Sequence, residues 1–157
     1  MRVGIISDTH GLLRPEAEST LQGVELIIHA GDVGKPQVLT RLKAIAPVFA
    51  VRGNVDTEAW AKQLPQTAVV DAGLARFYVL HNLRELDLVP LAAGFHAVIT
   101  GHTHQPEKIE RNGVLYLNPG SAGPKRFQLP VTLALVDVGV KPWRVEIVPL
   151  DPGPTRL

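Results

Sequence analysis

The chain has 157 residues, enough for one domain that buries roughly 68–70% of its unfolded surface. With 45% apolar and 20% charged residues it has an ordinary globular composition, and a formal charge of +1 disfavours a basic nucleic-acid binder. The absence of cysteine excludes disulfides, thiolate metal sites, iron–sulfur clusters and cysteine nucleophiles, leaving any catalysis to Asp, His, Asn, Ser or Lys.

The first apolar stretch, Val3 to Ser7, meets Asp8 too soon for an export signal, and nowhere do eighteen apolar residues run together. A cytoplasmic protein with no membrane partner is expected. Val3 to Ser7 reads as a strand, Pro15 to Leu21 as a helix, Val24 to His29 as a strand, Pro36 to Ile45 as a helix and Val48 to Val51 as a strand. Such alternation predicts parallel strands covered by helices, with function at the carboxyl ends of the strands. Weak helical patterns at Glu58 to Gln63 and Glu85 to Ala92 interrupt a second half dominated by strands. These run from Thr67 to Val70, Arg76 to Leu80, Ala97 to Thr100, Lys108 to Glu110, Leu115 to Leu117, Leu133 to Val138 and Arg144 to Val148. Arg111-Asn112-Gly113 marks a hairpin turn. Helices early and strands late predict an α/β fold of two packed sheets with helices outside, in a single domain over residues 1–150, followed by a loose C-terminal tail, 151–157.

Each of five predicted strands runs into a metal-type ligand. The exits are Asp8-Thr9-His10, Gly31-Asp32, Gly53-Asn54, His81-Asn82 and Gly101-His102-Thr103-His104. Three of these exits begin with glycine, which permits a sharp turn or a close approach of another group. Asp8 and His10, like His102 and His104, are two residues apart and in extended backbone point to one side, so that each pair can chelate. Four of the six histidines fall at these strand ends. Imidazole and carboxylate together suit manganese, iron, nickel, cobalt or zinc, and seven ligands are too many for one tetrahedral centre. Two divalent ions are therefore expected, a standard device for displacement at phosphorus.

The ordered series Asp8-x-His10, Gly31-Asp32, Gly53-Asn54, His81 and Gly101-His102-x-His104 resembles the calcineurin-like metallophosphoesterase superfamily over nearly the whole chain. The short length and the Asn118-Pro119-Gly120-Ser121 segment resemble its small bacterial and archaeal phosphodiesterase branch. The resemblance implies a four-layer sandwich of two mixed sheets flanked by helices. It further implies that Asp8, His10, Asp32 and His104 surround one ion, with Asp32 bridging to a second that Asn54, His81 and His102 complete. Asp32, Asn54 and His102 would carry catalysis, Asn54 would also bind substrate, and manganese is the first expectation among the metals. The implied activity is that of a dinuclear phosphoesterase, specifically a phosphodiesterase acting on a small phosphate ester through a metal-bridging hydroxide. A non-catalytic binding scaffold, as in the retromer subunit that shares the fold, and a phosphomonoesterase or nucleotidase stand as alternatives.

Two departures from the family pattern bear on substrate. Many members carry histidine directly after Gly-Asn, where it protonates the leaving group or binds phosphate; this chain has Val55. The position after His81, usually glycine, is Asn82. Of the remaining candidates, His29 reads as a satisfied core or supporting histidine, and His96 as a surface imidazole. Asp56 reads either as an acceptor orienting a ligand or as a helix start. Ser121, Lys125, Arg126 and Arg84 read either as phosphate-binding groups or as solvated loop, and Trp60 and Trp143 as packing residues. Strand edges in the second half could pair two copies into a homodimer.

Overall fold

The structure, a computed structural model, describes residues 1–150; the predicted tail at 151–157 lies outside the described residues. Strands β1 (Arg2–Ile6), β2 (Leu26–His29) and β3 (Val48–Ala50) run parallel and adjacent, linked by helices α1 (Pro15–Thr20) and α2 (Pro36–Lys43). Both helices open on proline in the first turn, where its missing N–H would have found no partner in any case. Arg41 and Lys43 fall in the last turn of α2, where cations face the negative end of the helix dipole.

The chain then builds a second sheet from β4 (Thr67–Ala72), β5 (Ala75–Leu80), β6 (Ala97–Ile99), β7 (Glu107–Arg111) and β8 (Val114–Asn118). Their spatial order is β4-β5-β6-β8-β7, with β5, β6 and β8 parallel and the two edges antiparallel. The predicted hairpin joins β7 to β8, with Asn112 and Gly113 at φ 53° and 80°, as a tight turn between twisted strands demands. Finally β9 (Thr132–Asp137) and β10 (Arg144–Pro149) return to the first sheet, giving the order β10-β9-β1-β2-β3.

Period-2 alternation sorts the side chains into three cores. Between the sheets, Val3, Ile5 and Ile28 meet Phe77, Val79, Ile99 and Leu117. On the outer face of the first sheet, Ile27 and Leu133 pack under Ala17, Leu21, Leu39 and Leu42 of the helical segments. Gly4 lies under α1 because a Cβ there would overlap the Leu21 side chain. Tyr78, Leu80, Val98 and Val114 line the outer face of the second sheet, covered by Leu86, Leu88 and Phe95. Burying each large apolar side chain contributes about 1.5–3 kcal/mol.

The weak helical patterns do not become α-helices. Glu58 to Gln63 forms a 3-10 turn, Ala59–Gln63, shortly before Pro65, and Glu85 to Ala92 gives only the 3-10 turn Leu83–Glu85 followed by irregular turns. Pro90 lacks the N–H that a helix through this segment would need, and its ring would clash with the preceding turn. Trp60 and Trp143 pack as expected, Trp143 edge-on to Phe77 with ring centroids 5.6 Å apart. His96 is half-buried rather than a free surface imidazole; its Nδ1 accepts from the Arg76 amide at 2.9 Å.

Candidate metal centre

The carboxyl ends of β1, β2, β3, β5 and β6 meet at one end of the sandwich and carry all seven predicted ligands. The local backbone there is unusual. Seven described non-glycine residues have positive φ, and five of them are Asp8 (55°), His10 (46°), Asp32 (55°), His102 (74°) and His104 (63°). Left-handed backbone at such residues carries a cost of order 1–3 kcal/mol each, borne only where the surroundings enforce it, and it concentrates at functional sites. The glycines answer a second requirement. A Cβ on Gly53 would overlap the backbone nitrogen and Oδ1 of Asp32. One on Gly101 would overlap the Ser7 hydroxyl, and one on Gly31 would stand 2.7 Å from His81 Nδ1.

Hydrogen bonds aim the two carboxylates. Asp8 Oδ2 accepts from the Ser7 hydroxyl at 2.7 Å and from the His102 amide at 3.1 Å, which turns Oδ1 into the cluster. There Oδ1 lies 3.4 Å from His104 Nε2 and 3.8 Å from Nε2 of both His10 and His81. Asp32 Oδ1 accepts from the Val55 amide at 3.0 Å, leaving Oδ2 3.2 Å from His81 Nε2 and 3.8 Å from His10 Nε2. His10 and His104 face each other through Nε2 at 3.3 Å. Two groups with convergent donor atoms result, Asp8–His10–His104 and Asp8–Asp32–His81. Asn54 and His102 form a separate, exposed pair at the mouth, with His102 Nδ1 3.2 Å from Asn54 Oδ1 and the His102 ring 5.2 Å from that of His81.

The electrostatics call for a cation. His81 Nδ1 lies 2.7 Å from the Ala30 carbonyl, which can only accept, so Nδ1 carries a proton and Nε2 faces two carboxylates, where it can hold either a second proton or a metal ion. Burial by itself would lower the His81 pKa, but its contact with Asp32 and the charges of Asp8 and Asp32 raise it above the ordinary value. Asp32 responds in kind: burial would push its carboxyl up, yet His81, the Val55 amide and His10 hold it well below the usual carboxylate range. For His10 burial outweighs both carboxylates, and the pKa is lowered. Asp8 Oδ1 and His81 Nε2 are buried with no hydrogen-bond partner, 3.8 Å apart. Donors each about 2.0–2.2 Å from a common ion lie roughly 3–3.5 Å apart, close to the separations seen here, so oxygen and imidazole donors of this set fit a divalent metal.

Supporting residues complete the site, and some were not legible in the sequence. His29 is the satisfied histidine expected: Gly31 donates to its Nδ1 at 3.1 Å. Its Nε2 lies 3.0 Å from the Thr9 hydroxyl, which itself donates to the Val33 carbonyl at 2.8 Å. The ring is therefore neutral and protonated on Nε2, and burial pushes its pKa down to about 4. Asp56 neither orients a ligand histidine nor starts an α-helix. Its carboxylate accepts from the amides of Val33 (3.1 Å), Gly34 (3.0 Å) and Gly53 (2.9 Å), tying the loop after Asp32 to the loop that carries Asn54. Asn118 Nδ2 donates to the Gly101 carbonyl at 2.9 Å, and Ser121 Oγ to the Asp8 carbonyl at 3.0 Å, so Ser121 braces the first ligand loop instead of facing substrate. Two of the three amide bonds of Asp56, from Val33 and Gly34, span more than twenty residues and left no local pattern to read. Arg126, on an exposed loop, lies near enough to His10 that its charge helps lower the imidazole pKa.

Carboxylates and imidazoles gathered at the carboxyl ends of two packed mixed sheets define a candidate divalent-metal centre of the phosphoesterase type. The chain belongs to the calcineurin-like phosphoesterase superfamily, whose domain matches residues 1–141. It is 35% identical over 147 residues to a probable metallophosphoesterase of Methanothermobacter thermautotrophicus, covering 86% of this chain and 85% of that protein. A phosphodiesterase of Methanocaldococcus jannaschii is 29% identical over 167 residues, covering 94% and 99% of the two chains. Among solved structures, one described as a novel archaeal phosphodiesterase superposes with a TM-score of 0.78 at 27% identity, over 94% of this chain and 100% of the other. Vps29 of Chaetomium thermophilum shares the fold at a TM-score of 0.75 and 22% identity, covering 95% and 96%.

Proposed function

We propose that the protein is a dinuclear metal-dependent phosphodiesterase. The observation that carries this reading is the convergence of Asp8 Oδ1, Asp32 Oδ2 and Nε2 of His10, His81 and His104 at separations of 3.2–3.8 Å, with two of these atoms buried and unpartnered. We assign Asp8, His10, His104 and Asp32 to one divalent ion, and Asp32, Asn54, His81 and His102 to the other. Two such ions, manganese first, would supply the charge that binds phosphoryl oxygens and makes water acidic enough to attack at neutral pH.

The chain's own residues do the rest. Ser7 and the His102 amide hold Asp8, the Ala30 carbonyl fixes the tautomer of His81, and the Val55 amide fixes Asp32, so the donors are organised before substrate arrives. Asn54, exposed at the mouth beside His102, has an Nδ2 that would donate to a phosphoryl oxygen. The side chain that follows Asn54 is Val55, which cannot protonate a leaving group; general acid catalysis contributes ~10²–10⁴-fold where that group is poor. The site therefore favours esters with good leaving groups, and diesters over monoesters. A purely scaffolding role is disfavoured by a site in which every ligand-type residue is present.

The test is hydrolysis of bis-p-nitrophenyl phosphate beside p-nitrophenyl phosphate, by metal-stripped protein to which Mn²⁺ is titrated back, with Asp32→Ala in parallel. Metal-dependent turnover favouring the diester, lost in Asp32→Ala, is expected. No turnover with bound Mn, Ni, Co or Zn, or an Asp32→Ala variant as active as wild type, would refute the assignment.

A further inference from the structure

Next to the metal-type cluster, a cleft of about 570 Å³ opens on the outer face of the second sheet. One wall is the Gly101–Thr103 loop, so the cleft begins at His102, whose other side meets Asn54 at 3.2 Å. The floor is one face of the β7–β8 hairpin: Ile109 sits opposite Tyr116 in register, and the Arg111 guanidinium lies 5.5 Å from the Tyr116 ring centroid. The far wall is the Leu83–Glu85 turn. Asn82 caps that turn, its Oδ1 accepting from the Arg84 amide at 3.1 Å. The residue standing where glycine was expected thus builds the wall that carries Arg84.

The charge of this cleft is specific. Arg84 and Arg111 both line it and both are exposed, against a single lining carboxylate, Glu107. Among the described residues, arginine ion pairs form only at Arg41–Glu18 and Arg76–Asp71, so neither cleft guanidinium is neutralised by a neighbour. Two uncompensated guanidinium groups beside an aromatic ring recognise a flat group bearing carboxylate or phosphate.

We infer that this cleft is the subsite for one ester arm of the substrate, and that the arm it selects carries an anionic group of its own, held by Arg84 and Arg111. The inference rests on the phosphodiesterase reading, because phosphorus held at the cluster is what directs an arm past His102.

Calorimetric titration of the metal-loaded protein with two slowly hydrolysed diesters, diphenyl phosphate and 4-carboxyphenyl phenyl phosphate, tests it. Wild type is expected to bind the carboxylated diester about fivefold more tightly or better, the scale of an exposed charge pair, and the preference should shrink as salt is raised. Replacing both arginines, Arg84→Gln with Arg111→Gln, should bring the ratio of affinities to about one, while Glu107→Gln should raise it; melting curves confirm that each variant folds. Equal or undetectable affinities in wild type, or a preference that survives loss of both arginines, would overturn the inference. Turnover of bis-p-nitrophenyl phosphate by the same wild-type preparation judges the phosphodiesterase reading separately. A carboxylate preference in a protein that cleaves no diester would uphold the subsite and sink the activity.

Discussion

Asp56 offers the sharpest test of how the centre is held. The residue is 3% exposed, and its carboxylate accepts three backbone N–H groups, from Val33, Gly34 and Gly53. Hydrogen bonds to a charged acceptor contribute about 1.5–3 kcal/mol each, and a buried donor left without one costs about 1–3 kcal/mol. In Asp56→Asn the remaining oxygen can serve at most two of the three amides, as neutral bonds, and the new NH₂ confronts the third donor. The expected loss is about 2–4 kcal/mol. At about 2–4 °C per kcal/mol for a chain of this size, Tm should fall by about 5–15 °C in metal-free protein. Metal affinity should fall as well, by about 10–100-fold, since the tethered loops carry Asp32 and Asn54. Thermal melts in a chelator, followed by Mn²⁺ titration, provide both readings, with Asp71→Asn as the control. Asp71 pairs with Arg76 on the surface, where a salt bridge is worth about 1 kcal/mol at most. If Asp56→Asn melts within about 1 °C of wild type, the tethering argument is wrong.

Other perturbations probe separate links. Gly53→Ala would drive a Cβ into Asp32, so metal affinity should fall at least about tenfold, read by titration of the stripped protein; unchanged affinity would mean the loop has room to give. His29 is held neutral with its pKa near 4 rather than 6.5, so the unfolded chain binds the extra proton in between. Its contribution is fully present above pH 6.5 and declines as pH falls toward about 4, by about 3 kcal/mol in all. Denaturant midpoints of metal-free wild type and His29→Gln should differ in slope over that window, and parallel curves would contradict the assignment. Val55→His places an imidazole beside Asn54, and it should raise turnover of esters with poor leaving groups by about tenfold or more while barely altering p-nitrophenyl esters. An equal effect on both classes would argue against a missing general acid.

Much of this molecule is written locally. Apolar residues mark most of the ten strands, β7 offering only Ile109, prolines start both helices, and Asn112-Gly113 turns the β7–β8 hairpin. The pattern at Glu58 to Gln63 kept its place as a 3-10 turn, whereas that at Glu85 to Ala92 misled because a short amphipathic stretch says nothing of whether proline will cut it, and Pro90 did. The candidate ligands were equally legible as a set: Asp, His and Asn recur at strand ends, three of the five exits behind glycine, and those glycines are the ones whose Cβ would strike Asp32, Ser7 or His81. Asp56 was harder. A single acid after Gly53-Asn54-Val55 carries no sign that its partners are amides at Val33 and Gly34.

The amino-acid sequence alone determined which residues could chelate and which stretches would form strands, because side-chain chemistry and backbone propensity act over a few residues. Tertiary structure decided the rest. It returned β9 and β10 to the sheet that β1 begins, chose which face of β7 and β8 lines the cleft beside His102, and left Asp8 Oδ1 and His81 Nε2 buried without partners. Those outcomes depend on contacts between residues tens of positions apart, and only the packing of two sheets brings such residues within bonding distance.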